Sequence, residues 1–174
     1  MFLSPEKIME YVPVYDGMKV ADLGSGAGHW AFLLAKRVNN SGKVYAIDVQ
    51  KNWLVRLKHE AEKFKMDNIE VVWGDIEELG GTHLPDNSLD WVFLVNTLFS
   101  TERRDGAVDE TKRILKPGGK VFLVDWKDSF GGIGPSSQFV IPPTEAEWLF
   151  LDKGFHKDKD FPAGDHHYGM IFSK

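Results

Sequence analysis

What this chain lacks narrows its possible functions. Its 174 residues include no cysteine, which excludes disulfides, thiolate zinc sites and a thiol nucleophile. No apolar run approaches the length of a membrane span, and the N-terminus has no basic segment followed by an apolar one. The net charge is −5, so binding to a nucleic-acid backbone is disfavoured. We therefore expect a cytoplasmic protein that contacts neither membrane nor nucleic acid.

The bulk composition predicts one folded domain over residues 1–174. Hydrophobic residues make up 43% of the chain, which is sufficient for a core in a domain of this length. We find no internal repeat, no low-complexity tract and no long charge block.

Short apolar runs alternate with longer amphipathic segments, as expected for strands alternating with helices. The predicted strands are Lys19–Leu23, Val44–Asp48, Ile69–Trp73, Leu89–Val95 and Lys120–Asp125. Most are continuously apolar, as in a parallel sheet that is covered on both faces. Helices are predicted between them at residues 28–39, 50–66 and 102–116, and each crossover is long enough to be right-handed.

Local signals predict where two of the helices begin or end. Ser4 followed by Pro5 predicts the start of a lead helix over residues 5–12. The helix over 102–116 is expected to stop at Pro117-Gly118-Gly119.

Residues 126–143 are rich in glycine and proline and predict a long loop with a binding role. Thr144 is then expected to cap a short helix through Leu151, followed by a strand opening at Gly154-Phe155 and a closing strand His167–Ser173. Of the six tryptophans, Trp73, Trp91 and Trp148 are expected in the core. The predicted fold is α/β: a Rossmann-like, doubly wound, mostly parallel seven-stranded sheet with an antiparallel last strand and helices on both faces.

A glycine loop follows the first strand in Val20-Ala21-Asp22-Leu23-Gly24-Ser25-Gly26-Ala27-Gly28-His29-Trp30. Alternate glycines let the backbone turn sharply beside a ligand, and the helix that follows presents N–H groups to an anionic end. The spacing is Gly-x-Gly-x-Gly rather than the Gly-x-Gly-x-x-Gly of dinucleotide sites. Taken alone, such a loop is equally compatible with a tight turn.

At these residues the sequence resembles class I S-adenosylmethionine-dependent methyltransferases, whose first motif is acidic and glycine-rich. The resemblance implies S-adenosylmethionine as the cofactor. It also implies that the methionine end of the cofactor is held by the residues of this motif, which are Asp22, Gly24, Ser25, Gly26 and Gly28.

The ends of the next three strands extend the predicted cofactor site. Asp48 is placed to accept hydrogen bonds from both ribose hydroxyls. By the resemblance, Asp75 accepts from the adenine amino group, and Val49 and Ile76 cover the ring. Asn96 begins the segment where the family lines the methyl-transfer site. The resemblance is most specific over residues 20–125.

The methyl acceptor is less defined than the cofactor. Without cysteine the chain cannot methylate cytosine C5 by thiolate attack or use the mechanism of cysteine-dependent arsenite methyltransferases. The segment Asn96-Thr97-Leu98-Phe99 lacks the double proline of amino-methylating DNA enzymes. We expect a small-molecule acceptor, and the chain resembles small methyltransferases of the quinone-biosynthesis type. The sequence identifies no catalytic residue, no metal site and no oligomeric state.

Several alternatives remain open at this point. His29 either contacts the cofactor or caps the helix. The pair His166-His167 either lines an acceptor pocket or binds a metal, and at most one of the two is expected to face the site. Residues 126–128 open either an acceptor site or a solvated loop. A non-catalytic S-adenosylmethionine-binding protein would show the same motifs, whereas a nicotinamide-dependent oxidoreductase fits the glycine spacing less well.

Overall fold

A single mixed sheet organises the residues that the computed structural model describes, which are 4–174. The strands are β1 Lys19–Leu23, β2 Lys43–Asp48, β3 Ile69–Trp73, β4 Leu89–Val95, β5 Leu115–Trp126, β6 His156–Pro162 and β7 His167–Ser173. They lie in the order β3-β2-β1-β4-β5-β7-β6. β7 runs antiparallel to its two neighbours, β5 and β6, and the other strand pairs of this sheet are parallel. The predicted fold class is therefore confirmed.

The helices lie in the crossovers where the sequence predicts them. They are α1 Pro5–Ile8, α2 His29–Val38, α3 Lys51–Lys63, α4 Arg104–Ile114 and α5 Pro143–Asp152, with short 3₁₀ turns at Met9–Tyr11, Leu98–Ser100 and Ser137–Phe139. Ser4 caps α1 as expected, because its hydroxyl accepts the N–H of Lys7 at 3.4 Å. Within residues 4–174, every helix is too short or too polar to cross a membrane.

Both faces of the sheet are covered, which explains why the strands are continuously apolar. Alternate residues of each strand enter opposite cores. One core packs α4 and α5 against residues such as Leu23, Leu94 and Leu123. The other packs α1, α2 and α3 against residues such as Val20 and Phe93.

Several predicted boundaries are wrong. The helix expected over 50–66 ends at Lys63, and the strand expected to open at Gly154-Phe155 begins at His156. The helix expected to reach residue 116 ends at Ile114, because Leu115 already pairs with Leu89 across the β4–β5 ladder. Pro117-Gly118-Gly119 thus lies inside β5 at a register shift instead of between two elements. Thr144 is not the cap of α5: Pro142 occupies that position and Pro143 is the first helical residue, where proline is favoured.

The tryptophans are only partly in the core. Trp91 is buried, but Trp73 is 52% and Trp148 58% exposed. Trp73 ends β3, which is an edge strand of the sheet that residues 4–174 form, and its indole N–H donates to the carbonyl of Val49 at 3.0 Å. An edge position leaves room for a large side chain that the sequence pattern alone places inside.

A charged cluster fixes the loop that follows β3. The buried carboxylate of Glu110 accepts the N–H of Gly80 at 2.7 Å and the N–H of Thr82 at 3.1 Å. Arg113 contacts both of its oxygens, at 2.8 and 2.7 Å. Although burial alone would raise it, these bonds from Arg113, Thr82 and Gly80 hold the pKa of Glu110 at about 2.

Replacing Glu110 with glutamine should destabilise the protein by about 2–3 kcal/mol at neutral pH, because Arg113 loses its buried partner. The pKa of Glu110 is lower in the folded than in the unfolded chain. Its contribution is therefore present above about pH 4.3 and is lost as the pH falls towards about 2. Urea unfolding at several pH values tests this, with the exposed Glu62→Gln as control. Equal losses for both variants, or a difference that does not shrink in acid, would refute the role.

Candidate cofactor site

A cavity of about 410 Å³ opens at the carboxyl ends of β1 to β4. This edge is where open α/β sheets bind ligands, and β1 is the point from which the strand order departs in both directions. The wall contains seven of the predicted site residues: Gly24, Gly26, Asp48, Val49, Asp75, Ile76 and Asn96. The remaining three, Asp22, Ser25 and Gly28, do not line it.

The glycine loop after β1 is bent around the end of β2. The N–H groups of Gly24 and Ser25 both donate to the carbonyl of Ile47, at 2.8 and 3.0 Å. Gly24 has a φ of +73°, and a Cβ there would lie 2.7 Å from the side chain of Thr97. Only glycine meets both demands.

The second half of this loop leads into α2. The N–H of Gly26 donates to Asp48 Oδ2 at 2.9 Å, and a Cβ at Gly26 would meet no atom within 4 Å. Gly28 has a φ of +85° and precedes α2, where a Cβ would lie 2.7 Å from Leu57 Cγ. Gly28 therefore shapes the loop, while Gly26 borders the open space.

Asp48 is the most constrained carboxylate of the cavity wall. It is only 7% exposed, and besides the N–H of Gly26 it accepts the N–H of Gln50 on Oδ1 at 2.8 Å. Each oxygen thus holds one backbone donor and keeps lone-pair capacity for a second. The carboxylate is oriented before any ligand arrives.

The wall after β3 combines a carboxylate with apolar side chains. Asp75 Oδ1 accepts the N–H of Glu77 at 2.9 Å. Ile76 is buried, and Val49 from the end of β2 is 51% exposed. A flat, partly polar group therefore finds both an acceptor and two apolar contacts at this end of the cavity.

The segment after β4 forms another part of the cavity wall. Asn96 has a φ of +53°, which asparagine tolerates better than most residues. The hydroxyl of Thr97 donates to the carbonyl of Leu23 at 3.0 Å, tying this segment to β1.

Asp125, at the end of β5, holds the same segment from below the surface. Its side chain is fully buried and accepts the N–H of Phe99 at 3.3 Å and that of Trp126 at 2.8 Å. Burial raises the pKa of Asp125 to about 6, and the N–H donors oppose that rise. Asp125 is a positioning residue that we did not single out from the sequence.

Two buried polar atoms beside the cavity lack a hydrogen-bond partner within residues 4–174: Asp22 Oδ2 and Ser25 Oγ. Burial raises the pKa of Asp22 to about 7, the N–H of Ala31 lowers it, and the charge of Asp48 raises it further. Unpaired buried polar atoms are costly. A ligand with a cationic donor fits this arrangement.

The sequence also missed three wall residues: Gln50, Gly74 and Glu77. They follow the strand ends, so the rule that ligands bind at that edge was their only signal. His29 is exposed at the start of α2 and is not in the wall. In the described part of the chain, no three His, Asp or Glu side chains group so as to hold a metal ion.

This sheet order, with a glycine loop after β1 and carboxylates after β2 and β3, defines a class I S-adenosylmethionine-dependent methyltransferase, whose cofactor is S-adenosylmethionine. The chain belongs to the methyltransferase domain family, whose model matches residues 15–147.

Known proteins of the class are similar to this chain. The crystal structure of an S-adenosylmethionine-dependent methyltransferase from Aquifex aeolicus is 29% identical and has a TM-score of 0.90, over 99% of this chain and 90% of that one. A demethylmenaquinone methyltransferase of Staphylococcus aureus is 34% identical over 69% of this chain. An arsenite methyltransferase of Aquipseudomonas alcaligenes is 34% identical over 63% of it. The matches cover only 48% and 33% of the lengths of these two curated relatives.

Replacing Asp22 with asparagine should stabilise the cofactor-free protein at about pH 8 by roughly 4 kcal/mol, because a buried charge is removed. The pKa of Asp22 is about 7 when folded, above its value in the unfolded chain. The advantage of the variant should therefore grow from about pH 4 to about pH 7 and then stay constant. Thermal unfolding across this range, with the exposed Asp152→Asn as control, measures it. A variant less stable than wild type at about pH 8 would contradict the assignment.

Proposed function

We propose that this chain binds S-adenosylmethionine in the 410 Å³ cavity and transfers its methyl group to a small-molecule acceptor. The observation that carries the proposal is the oriented carboxylate of Asp48 between the glycine loop and the other strand ends. In the proposed arrangement the methionine end lies at the glycine loop, the ribose at Asp48 and the adenine at Asp75.

The chemistry of each group supports this order. Two vicinal hydroxyls match a carboxylate whose two oxygens each retain acceptor capacity, as at Asp48. The exocyclic amine of adenine matches Asp75, and the ring matches the apolar surfaces of Val49 and Ile76. The ammonium group matches the unpaired oxygen of Asp22.

The bound cofactor supplies an electrophilic methyl group, so the protein needs mainly to align the acceptor and exclude water. The ties from Thr97 to Leu23 and from Asp125 to Phe99 serve this task, because they fix the segment beside the cavity. Preorganisation of this kind lowers the entropic cost of bringing two reactants together.

We further propose a small, weakly charged acceptor rather than a nucleic acid, and action in the cytoplasm. The net charge of −5 supports the first point, and the absence of cysteine supports the second. The relative named for demethylmenaquinone makes phenols and quinols the first acceptors to test. The relative named for arsenite is a weaker guide, because this chain has no cysteine.

Calorimetric titration tests the cofactor site. We expect the wild type to bind S-adenosylmethionine and its demethylated product, and not NAD. Asp48→Ala should weaken binding roughly 100-fold, because two charge-assisted hydrogen bonds to ribose are lost. Asp48→Asn should lose less, since one carbonyl oxygen remains.

The exposed Asp152→Ala is the matched control and should bind as the wild type does. Preference for NAD, or equal binding by wild type and Asp48→Ala, would overturn the proposed site. Tight cofactor binding without turnover of any phenol, quinol or amine would instead favour a non-catalytic binding protein.

A further inference from the structure

A second cavity, of about 170 Å³, lies at the same edge of the sheet. Its walls are apolar side chains of α1, α2, β4 and β5 together with Ala163, and its polar wall residues are Asn96 and His167. We refer to it as the Asn96–His167 cavity. Asn96 also lines the cofactor cavity, so the two spaces adjoin at the end of β4.

The covalent structure of the cofactor indicates which end of its cavity matters for transfer. The methyl-bearing sulfur joins the ribose to the amino-acid portion. With ribose at Asp48 and the amino acid at the glycine loop, the sulfur lies near the ends of β1 and β2. Strand β4 neighbours β1, and its end carries Asn96. The Asn96–His167 cavity therefore adjoins the candidate cofactor site on the β4 side of the sulfur position that the proposed arrangement implies.

We propose that this cavity receives the reacting end of the acceptor, that the acceptor is a small apolar molecule with one ionisable O–H, and that His167 takes up its proton. This inference rests on the proposed methyl transfer and adds to it a site, a substrate class and a catalytic residue.

The strand geometry directs His167, and not its neighbour, to the cavity. His167 pairs with Trp126 across β5 and β7, and the two ring centroids are 4.1 Å apart. His166 points elsewhere: its Nδ1 lies 2.8 Å from Asp128 Oδ1, and its ring stacks on Phe130 with centroids 3.9 Å apart. This arrangement agrees with the expectation that at most one of the two histidines faces a pocket.

The environment keeps the imidazole of His167 in the form that accepts a proton. Burial lowers its pKa, the charges of His166 and Lys127 lower it further, and Asp128 opposes them. The wall residues from α1 and α2 add no charge, since they are Pro5, Ile8 and Trp30. At neutral pH the ring is therefore neutral.

The size and polarity of the cavity define the acceptor class. An apolar protein cavity of about 150 Å³ accommodates a benzene ring, so about 170 Å³ fits one aromatic ring. A charged or strongly polar group would lose hydration in contact with Ile8, Trp30 and Val124 without compensation. A phenol meets both conditions, because its ring is apolar and its single hydroxyl reaches a polar wall.

The proposed reaction transfers the methyl group from the cofactor sulfur to the acceptor oxygen. The acceptor oxygen forms a bond to the methyl carbon while the bond from that carbon to sulfur breaks, and the bonding pair stays on sulfur. The proton of the acceptor O–H passes to the imidazole of His167 and from there to solvent. No oxidant or reductant is required.

A larger space of about 600 Å³ is the competing acceptor site. It meets the cofactor cavity at Phe99, Ser100 and Thr101 and is also lined by Phe139. It contains the charged side chains of Glu102 and Arg104 and would suit a polar acceptor. The two sites therefore predict opposite effects for substitutions of Ala163 and Phe139.

The first test is binding. The full chain is saturated with the demethylated cofactor product and titrated with phenol while the histidine ring signals are followed by NMR. We expect the His167 signals to shift and those of the exposed His156 to stay in place. Ala163→Leu, which fills the cavity, should abolish the shift without changing cofactor affinity, whereas Phe139→Ala should have no effect. No phenol binding, or binding lost in Phe139→Ala alone, would overturn the inference.

The second test is kinetic and compares His167→Gln with the matched control His156→Gln. We expect the rate with phenol to fall roughly 100-fold in His167→Gln at unchanged cofactor affinity. In the wild type, the rate should fall in acid because His167 becomes protonated. This fall should be absent from the pH–rate profile of His167→Gln. Asp22 and Asp125 remain in both variants, so the difference between the two profiles belongs to His167. An unchanged rate or profile would refute the catalytic role.

The binding results distinguish failure of the proposed function from failure of the acceptor assignment. Loss of cofactor binding by the wild type would remove the proposed function itself. Intact cofactor binding with phenol absent from the Asn96–His167 cavity would remove only the acceptor assignment.

Discussion

The hydrogen bond from the backbone of Gly26 to the carboxylate of Asp48 joins two loops that border the candidate cofactor site. One loop leaves β1 and the other leaves β2, and the parallel pairing of these strands places their ends side by side. The same carboxylate also accepts the N–H of Gln50 at the start of α3. Asp48 therefore organises the loops and, in the proposed function, binds the ribose. The orientation it needs for binding is already enforced by the fold.

Much of the fold could be predicted because its physical causes are local. The inner strands are buried on both faces, so most of their residues are apolar, and β1, β3, β4 and β7 have the predicted bounds. The glycine loop was visible for a similar reason: the backbone at Gly24 requires a residue without a side chain. Carboxylates at strand ends stand out against an apolar background, which is why the sequence singles out Asp48 and Asp75, and both line the cavity.

Other features could not be predicted because they depend on contacts between distant segments. Asp125 lies at the end of a strand as Asp48 does, but its carboxylate holds the backbone at Phe99, 26 residues earlier. Leu115 belongs to β5 rather than α4 because Leu89 pairs with it. The sequence predicts Trp73 to be a core residue, but its strand lies at the edge of the sheet. In each case the position of the residue depends on which segments are adjacent in space, and the local sequence does not show this.

The buried carboxyl of Asp22 has a consequence for how the heat of cofactor binding is measured. Because its pKa is about 7 in the free protein, this group is only partly ionised near neutrality. An ammonium group placed beside its unpaired oxygen favours the charged form. In the proposed binding mode, cofactor binding therefore releases a fraction of a proton to the solution, and the buffer absorbs it. The apparent enthalpy accordingly differs between a phosphate and an amine buffer, and the difference counts the protons that leave the site.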